Sequence, residues 1–136
     1  MTDAGIQLIV VDAANVVGSR PDGWWRDRMG AARRLLAQLT ASKVHLEGPA
    51  EVVVVLEGAA KAAVAGAADP KFEGLRLVLA DGSGDDAIVD VVAGAVEQDS
   101  SRSITVVTAD RGLRDRVEAL GADTVGPRWL LDRVES

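Results

Sequence analysis

Residues 6–28 read IQLIVVDAANVVGSRPDGWWRDR, and the opening of that stretch decides the fold. A short apolar run, broken only by Gln7, goes straight into Asp12. A run without polar alternation is the mark of a strand covered on both faces. Such strands belong to parallel sheets, which need helices between successive strands, and the rest of the chain supplies them. Residues 51–56 (EVVVVL), 75–79 (LRLVL), 103–108 (SITVVT) and a short stretch near 123–125 read as further strands. Residues 24–41, 59–68, 85–98, 111–120 and 128–135 read as helices. In the third of these, Ile88, Val91, Val92 and Ala95 recur at the spacing of one helical face. Asp69-Pro70 ends the alanine-rich segment, and Gly121 is a natural helix stop. The pattern predicts a three-layer α/β/α sandwich with a mostly parallel five-stranded sheet, in a single domain over residues 1–136.

Composition narrows the chemistry. The chain is 48% hydrophobic, enough for a packed core, and it has no cysteine and one histidine, His45. Disulfides, thiolate metal sites and histidine-rich zinc sites are excluded, and His45 is expected at a helix end or in a loop. The apolar run at 6–11 is too short for a signal sequence or a membrane span, so a cytoplasmic protein with no membrane contact is expected. Abundant Ala, Val, Gly and Arg with few aromatics suggests a bacterial genome of high GC content. Net charge is −6, yet Arg20, Arg26, Arg28, Arg33 and Arg34 face only Asp22 and Asp27 within residues 20–34. A basic patch in an acidic chain suits a polyanion that must be positioned and then released.

In parallel sheets ligands bind beyond the carboxyl ends of the strands. Asp12 ends the first strand here and Glu57 the second. Asp81 follows the third, Asp85 and Asp86 open the next helix, and Asp110 follows the fourth strand after Thr108. Gathered carboxylates repel unless a cation or proton offsets them. Oxygen ligands without His or Cys point to Mg²⁺ or Mn²⁺. Helical geometry makes Asp85 the inner ligand and Asp86 the outer one, with Asp90 solvated. Each residue has a structural alternative: an Asx-turn for Asp12 and Asn15, an ordinary helix-start acid for Glu57, helix caps for Asp85, Asp86 and Asp110, and a plain strand end for Thr108.

The segment after Asp12 and Asn15 reaches Arg20, Trp24, Trp25, Arg26 and Arg28. Tryptophans stack on unpaired bases and arginines hold phosphates. Arg20, Trp24 and Arg26 are therefore candidate substrate contacts, against the alternative that the tryptophans pack into the core. Arg111 and Arg114 are read as partners for surface acids. Trp129, Leu130 and Leu131 are read as core packing or as a homodimer patch.

The pieces VVDAANVVG (10–18), GDDAIVD (84–90) and VVTADRGLRDRV (106–117) resemble the PIN-like nuclease superfamily, in particular its NYN branch. The resemblance covers nearly the whole chain. It implies a metal-dependent ribonuclease acting on single-stranded RNA, with Mg²⁺ or Mn²⁺ held by Asp12, Asp85, Asp86 and Asp110, and Glu57 as a further acidic position. Asn15 and Thr108 match the family's asparagine and small hydroxyl residue. With no placed histidine, a carboxylate or a hydroxide on the cation must serve as base, leaving a 5′-phosphate. The competing readings are a non-catalytic RNA- or protein-binding module and a small-nucleotide pyrophosphohydrolase. No P-loop occurs, and GSGDDA lacks the last glycine of a dinucleotide loop.

Overall fold

A computed structural model describes residues 6–20, 23–42, 50–66, 69–72 and 74–135. His45 lies outside the described residues. The chain runs β1 (Gln7–Asp12), α1 (Ala13–Gly18), α2 (Arg28–Ser42), β2 (Ala50–Leu56), β3 (Leu75–Leu79), α3 (Gly84–Gln98), β4 (Ile104–Val107), α4 (Arg111–Glu118), β5 (Asp123–Val125) and α5 (Pro127–Glu135). The five strands form one sheet in the order β3-β2-β1-β4-β5, and every pair is parallel. The order reverses between β1 and β4, so the crevice for a ligand lies at the carboxyl ends of those two strands.

Strand parity builds two cores. Ile9, Val11, Val54, Leu56 and Val107 pack with Val16, Leu35, Leu36, Leu39 and Leu130 on the α1, α2 and α5 face. Leu8, Val10, Val53, Val55, Ile104 and Val106 pack with Ile88, Val92, Leu113 and Val117 on the α3 and α4 face. Successive side chains leave opposite faces of a strand. Asp12, Glu57 and Thr108 therefore continue the rows Leu8–Val10, Val53–Val55 and Ile104–Val106 beyond the core, toward the side where α3 and α4 begin. Leu130 (0% exposed) and Leu131 (2% exposed) lie in the chain's own core, with Trp129 packed against it. Among the described residues no helix is long and apolar enough to cross a membrane.

Three elements depart from the sequence pattern. The residues after Asp12 form a short helix, α1, absent from the helices read in the sequence; the Asp12 side chain caps it by accepting from Asn15 N–H at 3.3 Å. The helix expected over 24–41 is split. Trp24–Arg26 make one 3-10 turn, and α2 starts afresh behind Asp27, whose carboxylate accepts from Gly30 N–H at 2.8 Å. The alanine-rich helix expected over 59–68 is a 3-10 turn, Gly58–Ala63, that ends at extended Val64. Within it, Lys61 Nζ donates to the Ala80 carbonyl at 2.8 Å; tertiary context outweighs the helix propensity of alanine here.

Candidate active site

The site is assembled from the strand ends and the helix starts that face them. Asp12 is 6% exposed. Thr108 Oγ1 donates to its Oδ2 at 2.9 Å, and Asp110 N–H donates to Thr108 Oγ1 at 3.2 Å. Thr108 thus joins Asp12 to the start of α4, where Asp110 Oδ1 accepts from Leu113 N–H at 3.0 Å. Asn15 ties α1 to the same loop, its Oδ1 accepting from Ala109 N–H at 2.8 Å. Glu57 Oε2 accepts from Gly84 N–H at 2.9 Å and so links the end of β2 to the start of α3. The approach is close: a Cβ on Gly84 would lie 2.9 Å from the Glu57 carboxyl carbon. Gly84→Ala is therefore expected to push Glu57 aside and cost about 1–2 kcal/mol, read from the denaturant midpoint.

Burial is the main cause that pushes the Asp12 carboxyl up to about 6; Thr108 and Asn15 oppose it, and the charges of Asp85 and Glu57 reinforce it. Asp85 is also raised, first by burial and then by the charges of Asp110 and Glu57, with Arg116 opposing. Asp12, Glu57, Asp85 and Asp110 thus share one electrostatic neighbourhood. Among the described residues the Asp85 carboxylate takes no hydrogen bond. Asp86 is engaged elsewhere, with Arg116 Nη2 at 2.9 Å, while Ser83 Oγ caps its N–H at 3.0 Å. Asp90 and Asp81 are exposed.

As the side chains stand, no three acidic or histidine groups among the described residues are close enough to form a ready cation site. Asp12, Glu57 and Asp110 each commit one oxygen to a backbone N–H. The chemistry of the set still suits a hard divalent ion: carboxylate oxygens only, one of them buried, with a second oxygen left on Asp110 and on Glu57.

The predicted substrate contacts divide. Trp24 is half-buried and lines a cleft beside Glu57. Arg20 is turned to Gln38, with Nη2 to Oε1 at 2.6 Å. Arg26 lies over the ring of Trp25, 5.8 Å from its centroid. Arg114, read from the sequence as a partner for surface acids, instead donates from Nε to the Thr108 carbonyl at 2.8 Å and buttresses the end of β4. Its place four residues after Asp110, one helical turn back toward the strand, was the available signal. Thr108 is fully buried. Thr108→Val is expected to cost about 1–3 kcal/mol, since Asp12 and Asp110 N–H each lose a partner; urea unfolding measures it.

No protein-family model and no curated protein sequence matches the chain. Among solved structures, it is similar to Rae1 (YacP) from Bacillus subtilis. The TM-score is 0.69 at 19% identity, over 96% of this chain and 74% of that one. A tryptophan-to-leucine mutant of the same protein matches with a TM-score of 0.64 at 16% identity, over 96% of this chain and 76% of that one. The likeness shows the fold, a three-layer α/β/α sandwich around a parallel five-stranded sheet.

Proposed function

We propose that the chain is a divalent-cation-dependent nuclease that hydrolyses phosphodiester bonds in single-stranded RNA. The observation that carries this reading is Asp12, a buried carboxylate at the reversal point of the sheet, held by Thr108 and faced by the charges of Asp85 and Glu57. Asp12, Asp85 and Asp110 would hold Mg²⁺ or Mn²⁺, with Glu57 and Asp86 at the margin. The bound ion would supply stabilisation for negative charge building on the scissile phosphate.

The chain's own residues do the rest. Thr108 and the cap of α1 fix the orientation of Asp12, and the cap of α4 fixes Asp110. Asn15 holds the loop between Thr108 and Asp110 against α1. A carboxylate of the cluster that is not spent on the ion would take the proton from the attacking water. The water oxygen bonds to phosphorus, the bond to the 3′-oxygen breaks, and solvent protonates the leaving oxygen. Fragments with 5′-phosphate and 3′-hydroxyl ends result.

The test is cleavage of a labelled single-stranded RNA with Mn²⁺, with chelator, and with Asp110→Asn. Mn²⁺-dependent fragments bearing 5′-phosphates, lost in the variant, are expected. Cleavage unchanged by chelator and by Asp110→Asn rejects the site. The open spacing of the carboxylates favours a second reading, a non-catalytic RNA-binding module. A calorimetric Mn²⁺ titration at neutral pH separates the two, since only the nuclease requires binding that Asp12→Asn removes.

A further inference from the structure

A cleft of about 370 Å³ opens beside the carboxylates. Its walls come from three places: Ala13, Ala14 and Val17 of α1, Trp24 with Arg28 and Ala32 of the next two elements, and Glu57 to Ala60 after β2. Ala13 and Ala14 directly follow Asp12, and Glu57 is itself one of the clustered acids, so the cleft adjoins the candidate site. We propose that it seats one unstacked nucleobase of a single strand, stacked on the indole of Trp24, with Arg28 on the adjoining phosphate. The inference rests on the nuclease reading for the identity of the strand, and it adds a base-holding subsite to it.

Four observations support this occupant. The volume falls at the small end of ligand sites, which run from about 300 Å³ upward. The lining joins one aromatic ring and small apolar side chains to one cation, with the Glu57 carboxylate at the edge shared with the candidate site; a ring beside a cation holds a base without reading its sequence. The Trp24 ring is also loosely covered. Arg28 lies 5.6 Å from its centroid, whereas Arg133 is stacked on Trp129 at 4.0 Å. A planar ligand that draws Arg28 to its phosphate gains the ring face without breaking a tight contact. Finally, Trp25 is 56% exposed but lies outside the cleft, edge-on to Trp24 at 6.1 Å. The pair is thus unequal: Trp24 serves the subsite and Trp25 does not.

Binding is measured by fluorescence anisotropy with a short labelled RNA strand, in Asp12→Asn protein with chelator, so that no cleavage is needed. Trp24→Leu, Arg28→Ala and Ala59→Phe are each expected to weaken binding about tenfold, within the range reported for one stacked base. Ala59→Phe fills the cleft and leaves Trp24 in place, so the test does not hang on one variant that misfolds. Trp25→Ala is expected to change affinity less than twofold. A strand abasic at the seated position should bind wild type about tenfold more weakly and be insensitive to Trp24→Leu. Equal binding of intact strand and every single-position abasic strand overturns the subsite, as does equal loss in Trp24→Leu and Trp25→Ala, or no measurable binding of any strand. Trp24-dependent binding without cleavage by the wild type with Mn²⁺ sinks the nuclease reading and leaves the subsite standing. Cleavage with full affinity in all three cleft variants does the reverse.

Discussion

Under the nuclease reading, Asp12→Asn is expected to lower Mn²⁺-dependent RNA cleavage by about 10³-fold, the order for neutralising a charged group at a reacting centre. The substitution removes the charge and one hydrogen-bond acceptor. Asparagine keeps a side-chain oxygen for the Asn15 N–H, so α1 stays capped. What it loses is one carboxylate oxygen, the acceptor of Thr108 Oγ1. A gel assay of labelled fragments, with circular dichroism to confirm folding, gives the result. A variant that keeps more than a tenth of the wild-type rate removes Asp12 from the site.

The same residue makes the cation-free protein less stable as pH rises. In the unfolded chain Asp12 titrates at the ordinary value of 3.8, and in the folded chain at about 6. Between those values the native state binds more protons than the unfolded state, so stability falls with rising pH and the loss is complete above about pH 6. The whole shift corresponds to about 3 kcal/mol. Roughly 2 kcal/mol of it falls between pH 4.5 and 7.5, on the order of 8 °C in Tm for a chain of this size. Asp85, raised as well, acts in the same direction. Asp69 and Asp99 are lowered by hydrogen bonds, Asp69 chiefly from the Ala65 and Lys71 N–H groups and Asp99 from Ser101, and their contribution is lost only at lower pH. Differential scanning fluorimetry with chelator should show wild type losing more Tm across that window than Asp12→Asn, which keeps only the contribution of Asp85. A wild-type curve as flat as that of the variant contradicts the burial argument. Excess Mn²⁺ at pH 7.5 should return several degrees to the wild type and none to Asp12→Asn, because a ligand bound only by the native state stabilises it.

How far the sequence could be read follows from the range of the interactions. The strands were legible because Val, Ile and Leu runs such as 51–56 carry their own signal, and Asp12, Glu57 and Thr108 could be placed at their ends. Alternation then brings the three to one face, a step that needs only parity. Helix α1 was not legible, since six residues give no periodicity to detect. The break at Asp27 was concealed by the apolar spacing of Leu35, Leu36 and Leu39, which continues whether or not the helix restarts. Arg116 with Asp86 and Arg114 with the Thr108 carbonyl are side-chain choices between distant partners, and no local pattern encodes them. The cleft at Trp24 is shared by segments far apart in the chain and becomes visible only once α1 and the turn after β2 are set beside it.

Asp12 and Asp110 each begin a helix with the same side chain that faces the crevice. Folding alone would preserve both through evolutionary time, even in a descendant that had ceased to cut anything. Asp85 carries no such duty among the described residues, so drift would erase it first. If the nuclease reading holds, the letter at that one column in related genomes would be the fossil record of whether the chemistry survived.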